Sequence, residues 1–158
     1  MDPLAHLDLL SVGIAVAGTT LLGVILLLNN IHSATNRAFF YFTIVTAGWS
    51  VVNYAYYQVS AGPLALTLLR LVIFFATWHA FTFFNLTFAF PAEKLRVPRW
   101  YRYGLLPLTG TVSVLTLSPF VFERITSTTA TGAIGGIQNG MAIPLFGLTV
   151  LGLIISAI

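Results

Sequence analysis

Two ionisable side chains interrupt long apolar stretches of this sequence, Arg70 and His79. Ionisable residues inside membrane segments are costly, and they usually face a partner or a polar cavity. Arg70 lies near one end of its stretch. We therefore expect its guanidinium either to reach the membrane interface or to face Asn53 or Tyr57 of the preceding stretch.

His79 lies near the middle of the same stretch. A neutral imidazole offers one donor and one acceptor, so it can bridge two helices. The nearest partners by depth are Thr46 and Thr111. The alternative roles are a ligand contact or a proton sensor.

Aromatic and amide side chains surround these two residues in the predicted fold. Trp49 is too far from the ends of its stretch for the aromatic belt that marks membrane interfaces. Asn53 in hydrocarbon needs a hydrogen-bonding partner. These features predict a polar cluster or small-ligand pocket between the second and third stretches, formed by Trp49, Asn53, Tyr57, Arg70 and His79.

The sequence lacks the residues that most catalytic mechanisms require. The chain has no cysteine, and its four carboxylates lie outside the apolar stretches, at Asp2, Asp8, Glu93 and Glu123. Disulfides, thiolate nucleophiles, carboxylate pairs and ion-coupled transport through buried acids are therefore disfavoured. A lone histidine cannot hold a metal, so we expect no metal site. With these catalytic residues missing, we also expect no enzyme activity and no cofactor.

The composition places the chain among membrane proteins. Of its 158 residues, 58% are hydrophobic and 7% are charged, and the mean hydropathy is +0.93. Soluble domains carry about 25% charged residues. A spanning helix needs about 20 apolar residues, and five stretches qualify or nearly qualify. The predicted fold is an all-α polytopic transmembrane helix bundle, with spans at residues 9–28, 38–57, 64–90, 103–122 and 142–158.

The basic residues predict the direction of insertion. Lys and Arg favour cytoplasmic loops, and they concentrate between the third and fourth spans, with one more between the first and second. The N-terminus is therefore expected outside the cell, in a multi-pass plasma or inner membrane protein. Because these residues lie beside predicted spans, nucleic-acid binding is not expected despite the net charge of +3. The predicted topology determinants are Arg37, Lys94, Arg96, Arg99 and Arg102.

The connections also carry predictions. The Thr- and Gly-rich segment 123–140 predicts an extracytoplasmic β-hairpin that turns at Thr131-Gly132, with a flexible loop as the alternative. Asn36 can cap the second span, and Pro107 and Gly110 can bend the fourth. Because the last span is still apolar at Ile158, we expect a fragment of a longer chain.

Several of these residues together resemble a known sensor family. The run Asn-Ile-His-Ser-Ala-Thr-Asn-Arg-Ala-Phe-Phe from Asn30, then Trp49, Arg70 and the ending Phe88-Ala89-Phe90-Pro91, resembles the N-terminal seven-helix membrane region of bacterial histidine kinases. The resemblance covers nearly all of the chain. The sequence does not include the family's last two spans, its phospho-accepting helix or its ATP-binding domain.

The resemblance implies that the chain perceives a signal and passes helix movement to a cytoplasmic output module, without catalysis of its own. Its expected partners are the lipid bilayer, an unknown small ligand, and a second copy or other membrane subunits. The alternatives are a structural or accessory subunit of a larger membrane complex and, less favoured, a small-substrate transporter, because no internal repeat is apparent.

Overall fold

A computed structural model describes residues 3–90, 98–129, 132 and 134–157, with the backbone alone at 3–9. The described chain is mostly helical, with a small antiparallel sheet, which confirms the helical class. A short π-helical segment, Tyr101–Leu105, precedes the fourth α-helix. The elements in chain order are α1 (Pro3–Asn29), α2 (Ala34–Gln58), α3 (Pro63–Ala89), α4 (Leu106–Thr116), β1 (Phe122–Thr128), β2 (Ile134–Asn139) and α5 (Ile143–Ile155).

The helix α3 is the centre of the bundle. It packs against α2, α4 and α5 and touches β1, whereas α1 packs mainly against α2. Small residues make the closest approaches between helices. A Cβ built on Gly23 of α1 would lie 2.2 Å from the Thr43 Oγ1 of α2, and one on Gly48 of α2 would lie 2.6 Å from the Phe75 ring of α3.

Side-chain hydroxyls, rather than large apolar groups, occupy much of the interior. Each buried Thr or Ser of this kind donates to a carbonyl three or four residues earlier on its own helix, so no proton is left unpaired. Close packing through small and hydroxyl-bearing residues is typical of helix contacts inside membranes. These buried residues are Thr43, Thr77, Thr82, Thr109, Ser113, Thr116 and Thr149.

The turn between α1 and α2 corrects the predicted cap. Ser33, not Asn36, is the N-cap of α2, and its hydroxyl oxygen accepts from the Asn36 backbone N–H at 3.4 Å. The Asn36 side chain instead donates backwards to the carbonyls of Leu26 (2.7 Å) and Asn30 (3.3 Å). It therefore satisfies free carbonyls at the end of α1, and α2 begins at Ala34, four residues before the predicted start.

The predicted fourth span, 103–122, is also corrected. Its helical part ends at Thr116, and Phe122 already belongs to β1. Pro119 cannot donate to a continuing helix, which fits the turn at residues 117–121. At the other end, the Leu106 N–H bonds the Tyr101 carbonyl five residues earlier. This π-type widening directly precedes Pro107, whose ring would crowd a regular turn.

The β-hairpin between α4 and α5 is confirmed. Ile125 pairs with Ile137, and the register shifts at several points along the ladder. Gly132 turns the hairpin with φ +81°, a conformation that favours glycine. Its carbonyl accepts from the Ala61 N–H at 2.7 Å, so the hairpin tip contacts the turn between α2 and α3.

Two helices in the described part of the chain are long and apolar enough to cross a membrane, over Leu10–Asn29 and Pro63–Ala89. The helix α5 is apolar but shorter. The helix α2, with 25 residues, is long enough to cross a membrane but does not meet the same criterion of apolar composition. The helix α4, with 11 residues, is not among the membrane-crossing candidates either. By these criteria the structure supports two membrane-crossing helices rather than the five predicted spans.

Candidate functional site: an apolar cavity beside His79

The strongest candidate site is a cavity between α2, α3 and α5. Its volume is about 410 Å³, and its walls are almost entirely apolar. The helix α2 contributes two aromatic rings, and α3 contributes His79 between two alanines. The lining residues are Phe42, Trp49, Ala76, His79, Ala80, Phe83, Val150 and Ile154.

His79 is the polar group of this cavity. Its Nδ1 lies 3.4 Å from the Thr46 Oγ1 on α2, the partner that the depth argument predicts. The other predicted partner, Thr111, lies exposed on α4. The rings of Phe42 and Trp49 flank the imidazole, with centroids 4.8 and 6.1 Å away.

The contact with Thr46 favours one neutral tautomer of His79. The Thr46 hydroxyl donates to the Phe42 carbonyl at 2.8 Å, and a hydroxyl that donates there can accept from an imidazole N–H. This pairing favours the tautomer with the proton on Nδ1, in which Nε2 is a hydrogen-bond acceptor.

Arg70 does not join this cavity. Its Nε and Nη2 both donate to the Phe122 carbonyl, at 3.2 and 2.5 Å, where β1 begins. In the described structure Arg70 forms no hydrogen bond with Asn53 or Tyr57, the two partners that the sequence suggests. Instead Arg70 ties α3 to the hairpin.

Asn53 and Tyr57 line a separate groove between α1 and α2. This groove measures about 450 Å³ and is more polar than the cavity, and Trp49 lies at the boundary of both. Tyr57 is 73% exposed. The structure therefore divides the predicted cluster into three places: Trp49 and His79 at the cavity, Asn53 and Tyr57 in the groove, and Arg70 at the hairpin.

The predicted topology determinants are described in part. Arg37, Arg99 and Arg102 are exposed at one end of the bundle, and Lys94 and Arg96 lie outside the described residues. This end is marked by two cross-contacts. The Thr35 hydroxyl donates to the Ala89 carbonyl at 3.1 Å, and the Tyr101 hydroxyl donates to the Asn85 Oδ1 at 2.6 Å.

No protein-family model, curated protein or solved structure matches this chain.

Sequence reasoning missed the contribution of α5 to the cavity. Val150 and Ile154 form one of its walls, but nothing in an apolar segment indicates which helices it will contact. The Phe122 carbonyl was missed for the same reason, since backbone acceptors carry no residue signature. In the described residues no group of three His, Asp or Glu side chains is placed to hold a metal.

Proposed function

We propose that this chain is the membrane-embedded signal-perception domain of a bacterial sensor histidine kinase or a related signalling protein. The observation that carries the proposal is the cavity around His79. It lies between three helices, so a molecule bound there contacts all three and can favour one packing of them over another. On this proposal the chain binds a ligand and passes on movement, and it performs no catalysis.

The distribution of apolar side chains supports residence in a bilayer. Only 6% of the apolar window of α1 and 22% of that of α3 are buried, which is unlike the core helix of a soluble protein. Leu10, Leu21 and Leu28 of α1 are 59%, 61% and 72% exposed. An apolar exterior around an interior of small and hydroxyl-bearing residues is the arrangement that lipid stabilises.

We further propose that all five helices cross or enter the bilayer, with the N-terminus outside. The chain alternates between two ends of the bundle. The turn between α1 and α2 lies at the end that carries Arg37, Arg99 and Arg102, and the turn between α2 and α3 lies beside the hairpin. The basic end is then cytoplasmic.

The chemistry of the cavity indicates which class of ligand it can bind. Its walls favour an apolar ring system, and Nε2 of His79 favours a hydrogen-bond donor. We therefore propose a membrane-soluble ligand that carries a hydroxyl or N–H group. A ligand with acceptors alone would leave its acceptor facing the Nε2 lone pair, at a cost comparable to a lost hydrogen bond.

Two probes that differ in one group test this ligand class. We expect 2-naphthol to raise the melting temperature of the purified chain in lipid nanodiscs, and 2-methylnaphthalene to raise it clearly less. His79→Leu should remove the difference between the probes. Tyr57→Phe, in the separate groove, should keep it. Equal shifts from both probes in the native sequence would contradict the ligand class.

The coding sequence that follows Ile158 tests the signalling role itself. Two further apolar spans and a kinase core would support it. A stop codon directly after Ile158 would contradict it and favour the accessory-subunit alternative, in which the cavity is a packing defect.

A further inference from the structure

A second cavity lies at the basic end of the bundle, and no step of the proposed perception mechanism uses it. It is a furrow of about 390 Å³ between α2, α3 and the π-helical segment. One face of each long helix lines it, at spacings of three and four residues. The lining residues are Ala34, Arg37, Ala38, Tyr41, Val45, Trp78, Phe81, Thr82, Asn85 and Tyr101.

The furrow is polar at one end and apolar along its length. Arg37, Asn85 and Tyr101 form the polar end, next to the helix termini. From Arg37 to Val45 the helix α2 rises about 12 Å, at 1.5 Å per residue. Thr82 adds little polarity to the deeper part, because its hydroxyl donates within α3 to the carbonyls of Trp78 and His79.

The charges and donors of the polar end match a phosphate. The Tyr101 hydroxyl donates to Asn85 Oδ1, so the amide nitrogen of Asn85 remains as a donor. Arg37 is exposed and supplies a cation, and Arg99 and Arg102 add exposed positive charge at the same end. The acidic side chain of Glu123 lies on the hairpin, at the opposite end of the bundle from Arg37.

We propose that this furrow binds an anionic phospholipid, with the phosphate at Arg37 and an acyl chain along Val45 and Trp78. Basic pockets between membrane helices on the cytoplasmic side are suited to such lipids. The proposal requires that the chain lies in a bilayer, but it is independent of the ligand cavity at His79 and of the signalling role.

Quenching of Trp78 fluorescence by brominated lipids tests the proposal. The other two tryptophans are first replaced, by Trp49→Phe and Trp100→Phe, so that Trp78 at the deep end of the furrow is the reporter. At equal mole fractions in phosphatidylcholine vesicles, dibrominated phosphatidylglycerol should quench Trp78 as if enriched about five-fold over dibrominated phosphatidylcholine, the factor expected for one arginine at the membrane surface.

The variants separate a specific site from general attraction. In the same background Arg37→Gln should abolish the preference for phosphatidylglycerol. Arg102→Gln removes the same charge at the same end without touching the furrow, and Arg124→Gln removes it on the hairpin, so both should keep most of the preference. Equal quenching by the two lipids, or a preference that survives Arg37→Gln, would overturn the proposal and leave the 2-naphthol experiment unaffected.

Discussion

At the scale of single residues, Arg70 joins α3 to the hairpin. Its two donors converge on one acceptor, the Phe122 carbonyl. Arg70→Met keeps the aliphatic stem and removes both donors, which leaves that carbonyl without its cationic partner. Hydrogen bonds to charged groups contribute about 1.5–3 kcal/mol. We expect the hairpin to lose stability in that range, measured by faster amide hydrogen exchange over residues 122–128.

Arg124→Gln is the matched control for Arg70. The Arg124 Nε donates to the Gln138 Oε1 at 2.7 Å on the exposed surface of the hairpin, where such contacts contribute little. Exchange in this variant should stay close to that of the native sequence. Unchanged exchange in Arg70→Met would show that Arg70 does not hold the hairpin.

The partly buried hydroxyl of Tyr101 leads us to expect that folding stability depends on pH. Burial raises the pKa of its hydroxyl above the ordinary value of 10.0, so folding favours the neutral phenol, which donates to Asn85. This stabilisation is complete below pH 10 and is lost as the pH rises through the raised value in the folded state. In an absorbance titration of phenolate, Tyr101→Phe should remove a late-titrating group. Loss of an early-titrating group in Tyr101→Phe would contradict the assignment.

At the scale of elements, α1 and α2 approach each other closely at Gly23. A side chain at Gly23 would meet Thr43, which is fully buried, whereas nothing lies within 4 Å of a Cβ built at Gly18. Overpacking of this kind costs about 1–3 kcal/mol. We expect Gly23→Val to lower the melting temperature of the chain in nanodiscs and Gly18→Val to leave it nearly unchanged. Equal effects of the two substitutions would mean that α1 is not held by this contact.

The helices and the hairpin could be predicted from sequence because each depends on local signals. Apolar length, the Thr- and Gly-rich segment and the turn at Gly132 sufficed for their existence. The boundaries failed where two local signals competed, as when Ser33 rather than Asn36 capped α2, and where Pro119 ended the fourth helix before the apolar run ended.

The candidate site was predictable only within one helix pair. Thr46 and His79 share a depth on adjacent antiparallel helices, so their contact followed from counting residues. The position of α5 beside them and the bond from Arg70 to a backbone carbonyl depend on how distant elements pack. Composition and spacing carry no signal for either.

At the scale of the whole molecule, both proposed sites require that the bundle lies in a bilayer. The signalling role further requires the proposed topology, with the basic end in the cytoplasm. The turns at His32 and Ser60 lie at opposite ends of the bundle. Five crossings require that positions 32, 60, 97 and 127 alternate between the two sides of the membrane.

Cysteine labelling tests this topology directly, since the native chain has no cysteine and gives no background. Single cysteines at His32, Ser60, Val97 and Ser127 are treated with a membrane-impermeant maleimide in intact cells and after permeabilisation. We predict labelling of Ser60→Cys and Ser127→Cys in intact cells, and of His32→Cys and Val97→Cys only after permeabilisation. Labelling of His32→Cys or Val97→Cys in intact cells would contradict the proposed topology.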